Sequence, residues 1–131
     1  MYVGLTYWDL SAPPGKRHPW FVCTSPDRDS EVVIVNATEL RDDFADKTCI
    51  LNIGDHPIIS KPSVVFYQGA RILGVQNFPG LLRSSFKQVL DSSPDLMRRI
   101  RQGAVDSEFM DENIRHMILR CRWRPPSPDS P

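Results

Sequence analysis

Glu31-Val32-Val33-Ile34-Val35-Asn36 is the stretch on which the reading of the fold turns. Its run of β-branched residues loses side-chain freedom in a helix and packs well on a pleated surface, so it is read as a strand. On its N-terminal side, Trp20-Phe21-Val22-Cys23-Thr24 is a second such run, closed by the turn-rich Ser25-Pro26-Asp27-Arg28-Asp29. Met1 to Trp8 reads as a further strand. Between the two lies Ser11-Ala12-Pro13-Pro14-Gly15-Lys16-Arg17-His18-Pro19, a loop by its breaker residues. On the C-terminal side, polar residues 39 to 47 predict a surface loop or one helical turn. Thr48-Cys49-Ile50-Leu51-Asn52-Ile53 predicts a strand stopped by Gly54-Asp55-His56-Pro57. Ser63-Val64-Val65-Phe66-Tyr67 predicts another, and Ala70-Arg71-Ile72-Leu73 a last strand or a short turn. Short strands broken by turns, with no helix long enough for parallel crossovers, predict a small antiparallel barrel over residues 1–75. Val22, Val33, Val35, Ile50 and Val64 are expected to point inward.

After Gly74 the pattern changes period. Leu82, Phe86, Val89 and Leu90 stand at the spacing of an amphipathic helix. Ser93-Pro94-Asp95 supplies an N-cap, a first-turn proline and an early acid, and Gly103 is expected to end that helix. A last helix is expected to begin near Ser107, with Met110, Ile114, Met117, Ile118 and Cys121 on one face. The fold class is therefore mainly β with C-terminal helices: a small barrel plus three helices. Residues 76–124 form a helical extension that must bury its apolar faces on the barrel or on a partner. The Pro/Ser-rich residues 125–131 are expected to be a disordered tail.

Composition narrows the class of function. Sixteen basic and sixteen acidic side chains balance, and 40% of residues are apolar. Zero net charge argues against avid, nonspecific binding of duplex nucleic acid but leaves room for a local site. No stretch reaches the length of a membrane span, and the first residues lack the pattern of a secretory signal. Cys23, Cys49 and Cys121, odd in number and within apolar runs, read as reduced thiols, so cytoplasm is the expected compartment. There is no phosphate-cradling glycine loop, paired-cysteine metal site or nucleophile elbow, and no metal or cofactor is expected.

What remains is a set of polar residues at strand ends: Arg17 and His18, Thr38, Asp55 and His56, and Ser63. Strand-end loops of a small barrel can converge on one rim. The segments Gly15-Lys16-Arg17-His18-Pro19-Trp20-Phe21-Val22 and Val32-Val33-Ile34-Val35-Asn36-Ala37-Thr38, with the later Ser63-Val64-Val65, resemble toxins of the PemK/MazF type. The likeness covers about residues 1–75. It implies an SH3-like barrel, sequence-selective cleavage of single-stranded RNA, a homodimer, and neutralisation by a protein antitoxin. The family's arginine before proline falls on His18, with Arg17 one residue earlier, and its threonine falls on Thr38. Asn36 stands where the family usually has proline.

Metal-free RNA cleavage needs a base for the 2′-hydroxyl, an acid for the 5′-oxygen, and donors for the charge that develops on phosphorus. On this reading His18 and His56 are base and acid in either order, with Arg17 and Thr38 as charge-stabilising donors. Lys16 contacts RNA, and Trp20 or Tyr67 stacks a base. The same residues have plainer readings. Asp55-His56-Pro57 is a natural turn, Thr38 an N-cap, Ser63 a strand opener, and Trp20 and Tyr67 core residues. The arginines around Trp123 read as a solvated helix face or an acidic-partner contact. The expectation is therefore a toxin-like, metal-independent endoribonuclease or an inactive relative. The alternative is a non-enzymatic protein-interaction module using the barrel and the helical tail, and a nucleic-acid-binding accessory protein is a third option.

Overall fold

A computed structural model describes residues 1–125. The run that opened the sequence reading becomes the central strand of a curled, open six-stranded antiparallel sheet, and three α-helices accompany it. The strands are β1 (Thr6–Asp9), β2 (Pro19–Val22), β3 (Glu31–Glu39), β4 (Ile50–Leu51), β5 (Ser63–Gly74) and β6 (Phe86–Gln88). The helices are α1 (Phe78–Ser84), α2 (Pro94–Asp106) and α3 (Glu112–Arg120). Strand order is β4-β5-β3-β2-β1-β6, so β3 and β5 make the long central ladder.

β3 is apolar at successive positions because both of its faces are covered. Val33, Val35 and Ala37 join Phe21, Val65 and Tyr67 in a core closed by Leu96, Met97, Ile100, Ile114 and Ile118 of the helices. Val32 and Ile34, on the other face, pack with Tyr7, Trp20, Val22, Phe78 and Phe86. The expected single inner set thus divides between the faces: Val33 and Val35 look one way and Val22 the other. Ile50 is 36% exposed rather than inward, because β4 is a two-residue edge strand.

Three sequence expectations in the second half are corrected: those of the first helix, of Gly103 and of where the last helix starts. The stripe Leu82, Phe86, Val89, Leu90 is not one helix. α1 stops at Ser84, and Phe86–Gln88 pairs with the open edge of β1, Tyr7 opposite Gln88 and Asp9 opposite Phe86. An unpaired strand edge outweighed helical periodicity. Gly103 does not end its helix, which runs on to Asp106. It lies beneath Tyr67, whose hydroxyl donates to Ile100 O at 2.7 Å, and any Cβ there would collide with that ring.

The Ser93 cap forms as the sequence predicts, but the last helix begins at Glu112 rather than near Ser107, with Asp111 as its cap. Ser93 accepts from Leu96 N–H at 3.1 Å, and Asp111 does the same for Ile114 N–H. Met110, Ile114 and Ile118 are buried inside the chain. Because β6 belongs to the sheet and α2 and α3 close its core, residues 1–75 and 76–124 share their interior. The expected tail beyond Pro125 lies outside the described residues.

Candidate functional site: a cationic cleft at the end of β3

The cleft begins with a missing hydrogen bond. Cys23 N–H donates to Val33 O at 2.9 Å, and Phe21 lies opposite Val35. The bonded pairs of this ladder therefore fall on odd-numbered residues, and the next would be Pro19 with Ala37. Proline has no N–H to give, so β2 begins there and Ala37 O is left without its ladder donor. The His18 side chain takes that place, with Nδ1 3.1 Å from Ala37 O. A carbonyl oxygen only accepts, so Nδ1 carries a proton, and in the neutral ring Nε2 has the lone pair. Nε2 has no partner among the described residues. Continuing the register of Trp20 with Asn36 sets His18 opposite Thr38.

Around His18 lies an open cleft of about 290 Å³, lined by Lys16, Arg17, Thr38, Glu39, Arg41 and Lys61 among others. Four cationic side chains face one carboxylate, in a chain whose net charge is zero. Glu39 sits 3.4 Å from Lys61 and 3.9 Å from Arg41, in exposed pairs that contribute little to stability. Arg17 Nε donates to Ala12 O at 3.0 Å, which holds the stem of the side chain against the loop. Ser63 also lines the cleft and uses its hydroxyl on Lys61 O at 2.9 Å.

The structure therefore brings His18, Thr38, Arg17 and Lys16 together and leaves out the other expected site residues. His56 is 3% exposed and is not among the cleft residues. Its Nε2–H donates to Leu90 O at 2.6 Å, and its Nδ1 accepts from Ile58 N–H at 3.1 Å. With both ring nitrogens engaged inside the protein, it has no proton or lone pair to offer a substrate. The expectation of His56 as acid or base gives way to a role in holding the loop before β5 to the segment before α2. Trp20 and Tyr67, expected to stack bases, present no ring face to solvent, being 6% and 1% exposed. Burial pushes the Tyr67 hydroxyl far above its ordinary pKa.

Arg41, Glu39 and Lys61 were not singled out in the sequence. The signal that finds them is the register of β3 with β5, Glu39 opposite Ser63, which sets the turn holding Lys61 beside the end of β3. Pairing across a gap of more than twenty residues is not legible in local pattern. Of the arginines near Trp123, Arg115 is a structural staple, donating to Val105 O, Ser107 O and Met110 O.

Fold and site together define a small, mainly β protein with a cationic, histidine-bearing cleft at the ends of two central strands. No family model matches the chain, and neither a curated protein nor a solved structure does. No helix among the described residues is long and apolar enough to cross a membrane.

Proposed function

We propose that the chain binds single-stranded RNA in this cleft and cleaves it without a metal ion. The observation that carries the reading is His18, its Nδ1–H committed to Ala37 O and its Nε2 lone pair free among four cationic side chains. Nε2 takes the proton of a 2′-hydroxyl, the 2′-oxygen bonds to phosphorus, and the P–O5′ bond breaks to leave a 2′,3′-cyclic phosphate. Arg17, Arg41 and the Thr38 hydroxyl donate to the phosphate oxygens as charge builds on them. Lys16 and Lys61 are the ammonium groups of the cleft, with a proton to give the departing 5′-oxygen. Four cations to one carboxylate is a donor set that repels a divalent ion. The PemK/MazF resemblance adds a homodimer and a protein antitoxin to this proposal.

An apolar helix face left uncovered would favour the interaction-module reading. Of the α3 face, Met110, Ile114 and Ile118 are buried within the chain and Met117 is partly buried, so that face gives the module reading no support. The test is incubation of the purified chain with a mixed-sequence RNA, with and without EDTA, followed by mapping of the new ends. Cyclic phosphate ends formed equally in EDTA, falling steeply with added salt and absent from DNA, are expected. Intact RNA at micromolar protein overturns the reading.

A further inference from the structure

The four cations of the cleft are not equivalent. Lys16 and Arg17 have no carboxylate partner among the described residues, and Arg17 spends one N–H on Ala12 O. Arg41 and Lys61 converge instead on a single atom, Oε2 of Glu39, at 3.9 Å and 3.4 Å. The backbone fixes this convergence. Leu40 N–H donates to Pro62 O at 3.0 Å and Phe44 N–H to Arg41 O at 3.0 Å, which ties down the turns that carry the two cations. Two cations aimed at one exposed oxygen make a point of positive potential, and Glu39 is the carboxylate that fills it.

The hold on Glu39 is weak. All three side chains are exposed, and neither distance is that of a short charge-assisted hydrogen bond. Another anion can therefore take the carboxylate's place at little cost. Glu39 follows Thr38 directly on β3, and Thr38 lies opposite His18 in the ladder. The point of convergence thus adjoins the place of the reacting phosphate, in the same cleft.

We propose that Glu39 stands in the place of a second phosphate, so that the cleft takes two consecutive phosphates of one strand: the reacting one at His18, its neighbour at Arg41 and Lys61. The inference rests on the RNA reading of the cleft, and it makes the substrate an internal stretch of a strand rather than a lone dinucleotide. A phosphodiester offers two oxygens to the arginine fork and the ammonium, where Glu39 offers one, and it displaces the carboxylate as it enters. Arg41, with five N–H donors, serves both phosphates. Lys61 is taken by the second, which leaves Lys16 to protonate the departing 5′-oxygen. Glu39 stays in the cleft as a like charge, so it moderates the affinity for every strand that enters.

The experiment titrates the ¹⁵N-labelled full chain with 2′-O-methyl oligonucleotides of randomised sequence, which cannot be cut because the attacking hydroxyl is blocked. Dimer, trimer and tetramer carry one, two and three diesters, and affinities are read from the amide shifts. The second diester is expected to tighten binding about tenfold and the third by less than about threefold. A neutral methylphosphonate at either linkage of the trimer should return it to the affinity of the dimer. Lys61→Ala should weaken the trimer more than the dimer, and Glu39→Gln should tighten the trimer by about threefold. Equal steps for the second and third diesters, or a Glu39→Gln variant that binds the trimer no more tightly than the wild type, overturn the proposal. Binding of none of the three overturns it together with the RNA reading. A chain that cuts no RNA but shows the one large step loses the nuclease and keeps the two-phosphate site. A chain that cuts dinucleotides as fast as longer RNA keeps the nuclease and loses the second site.

Discussion

His18-Pro19 and His56-Pro57 are the same dipeptide in two loops, and the fold puts them to opposite uses. At the first, proline opens a ladder, one ring nitrogen replaces the missing donor, and the other faces a cationic cleft. At the second, the imidazole is buried and bonded at both nitrogens, to Leu90 O and to Ile58 N–H. The beginning of a strand whose neighbour runs on leaves a histidine half satisfied. A packed loop between two segments satisfies it fully. What differs is the supply of unpaired backbone around each ring, not the local sequence.

The contrast breaks most visibly under alanine substitution. His18→Ala is expected to lower RNA cleavage by ~10²–10⁴, the usual worth of a general base, with little change in melting temperature. His56→Ala is expected to do the reverse. It leaves Leu90 O and Ile58 N–H without partners and opens a void, costing about 2–4 kcal/mol in denaturant unfolding, while the folded fraction keeps its rate. If the two variants exchanged phenotypes, the assignment of roles would be inverted.

A finer test leaves both rings in place. Pro19→Ala supplies the N–H that the ladder lacks, and that N–H competes with His18 for Ala37 O. Cleavage should fall about tenfold, the worth of one hydrogen bond, and ¹⁵N shifts of the His18 ring should show Nδ1 losing its fixed proton. Unchanged ring shifts would mean that something other than the proline vacancy holds the imidazole.

The smallest effect concerns Asp55, beside His56. Partial burial works against its charge, but Arg99 at 2.9 Å and Asn52 N–H at 2.7 Å outweigh that and hold its carboxyl below the usual range. A group with a lowered pKa in the fold adds stability above its unfolded value, ~3.9, and that stability disappears as pH falls through the folded value. Asp55→Asn should therefore cost under about 1 kcal/mol at neutral pH, since the pair is partly exposed. The gap to the wild type should narrow below about pH 4 in urea unfolding curves. A gap that widened in acid would mean that the carboxyl is destabilising.

Much of the fold was legible because it follows from local chemistry. β-branched runs specified the strands around Val32–Val35. Ser93 specified where α2 begins, whereas α3 starts at Glu112 instead of near Ser107 and β2 takes in Pro19, which read as loop. The grouping of Lys16, Arg17, His18 and Thr38 was anticipated because all four flank the ends of β2 and β3, which are neighbours in chain order. Only tertiary structure decided the rest. Apolar spacing reports that a side chain is to be buried but not against what, so Leu82 to Leu90 read as a helix until the open edge of β1 claimed Phe86–Gln88. Gly103 read as a helix end until Tyr67 came to lie on it. Glu39, Arg41 and Lys61 entered the cleft through pairing of β3 with β5. His56 left it because Leu90 O, thirty-four residues away in the chain, became the acceptor for its proton. A hydrogen-bonding group goes to whichever complementary group the folded chain leaves free, and that partner is set by three-dimensional packing rather than by neighbours in sequence.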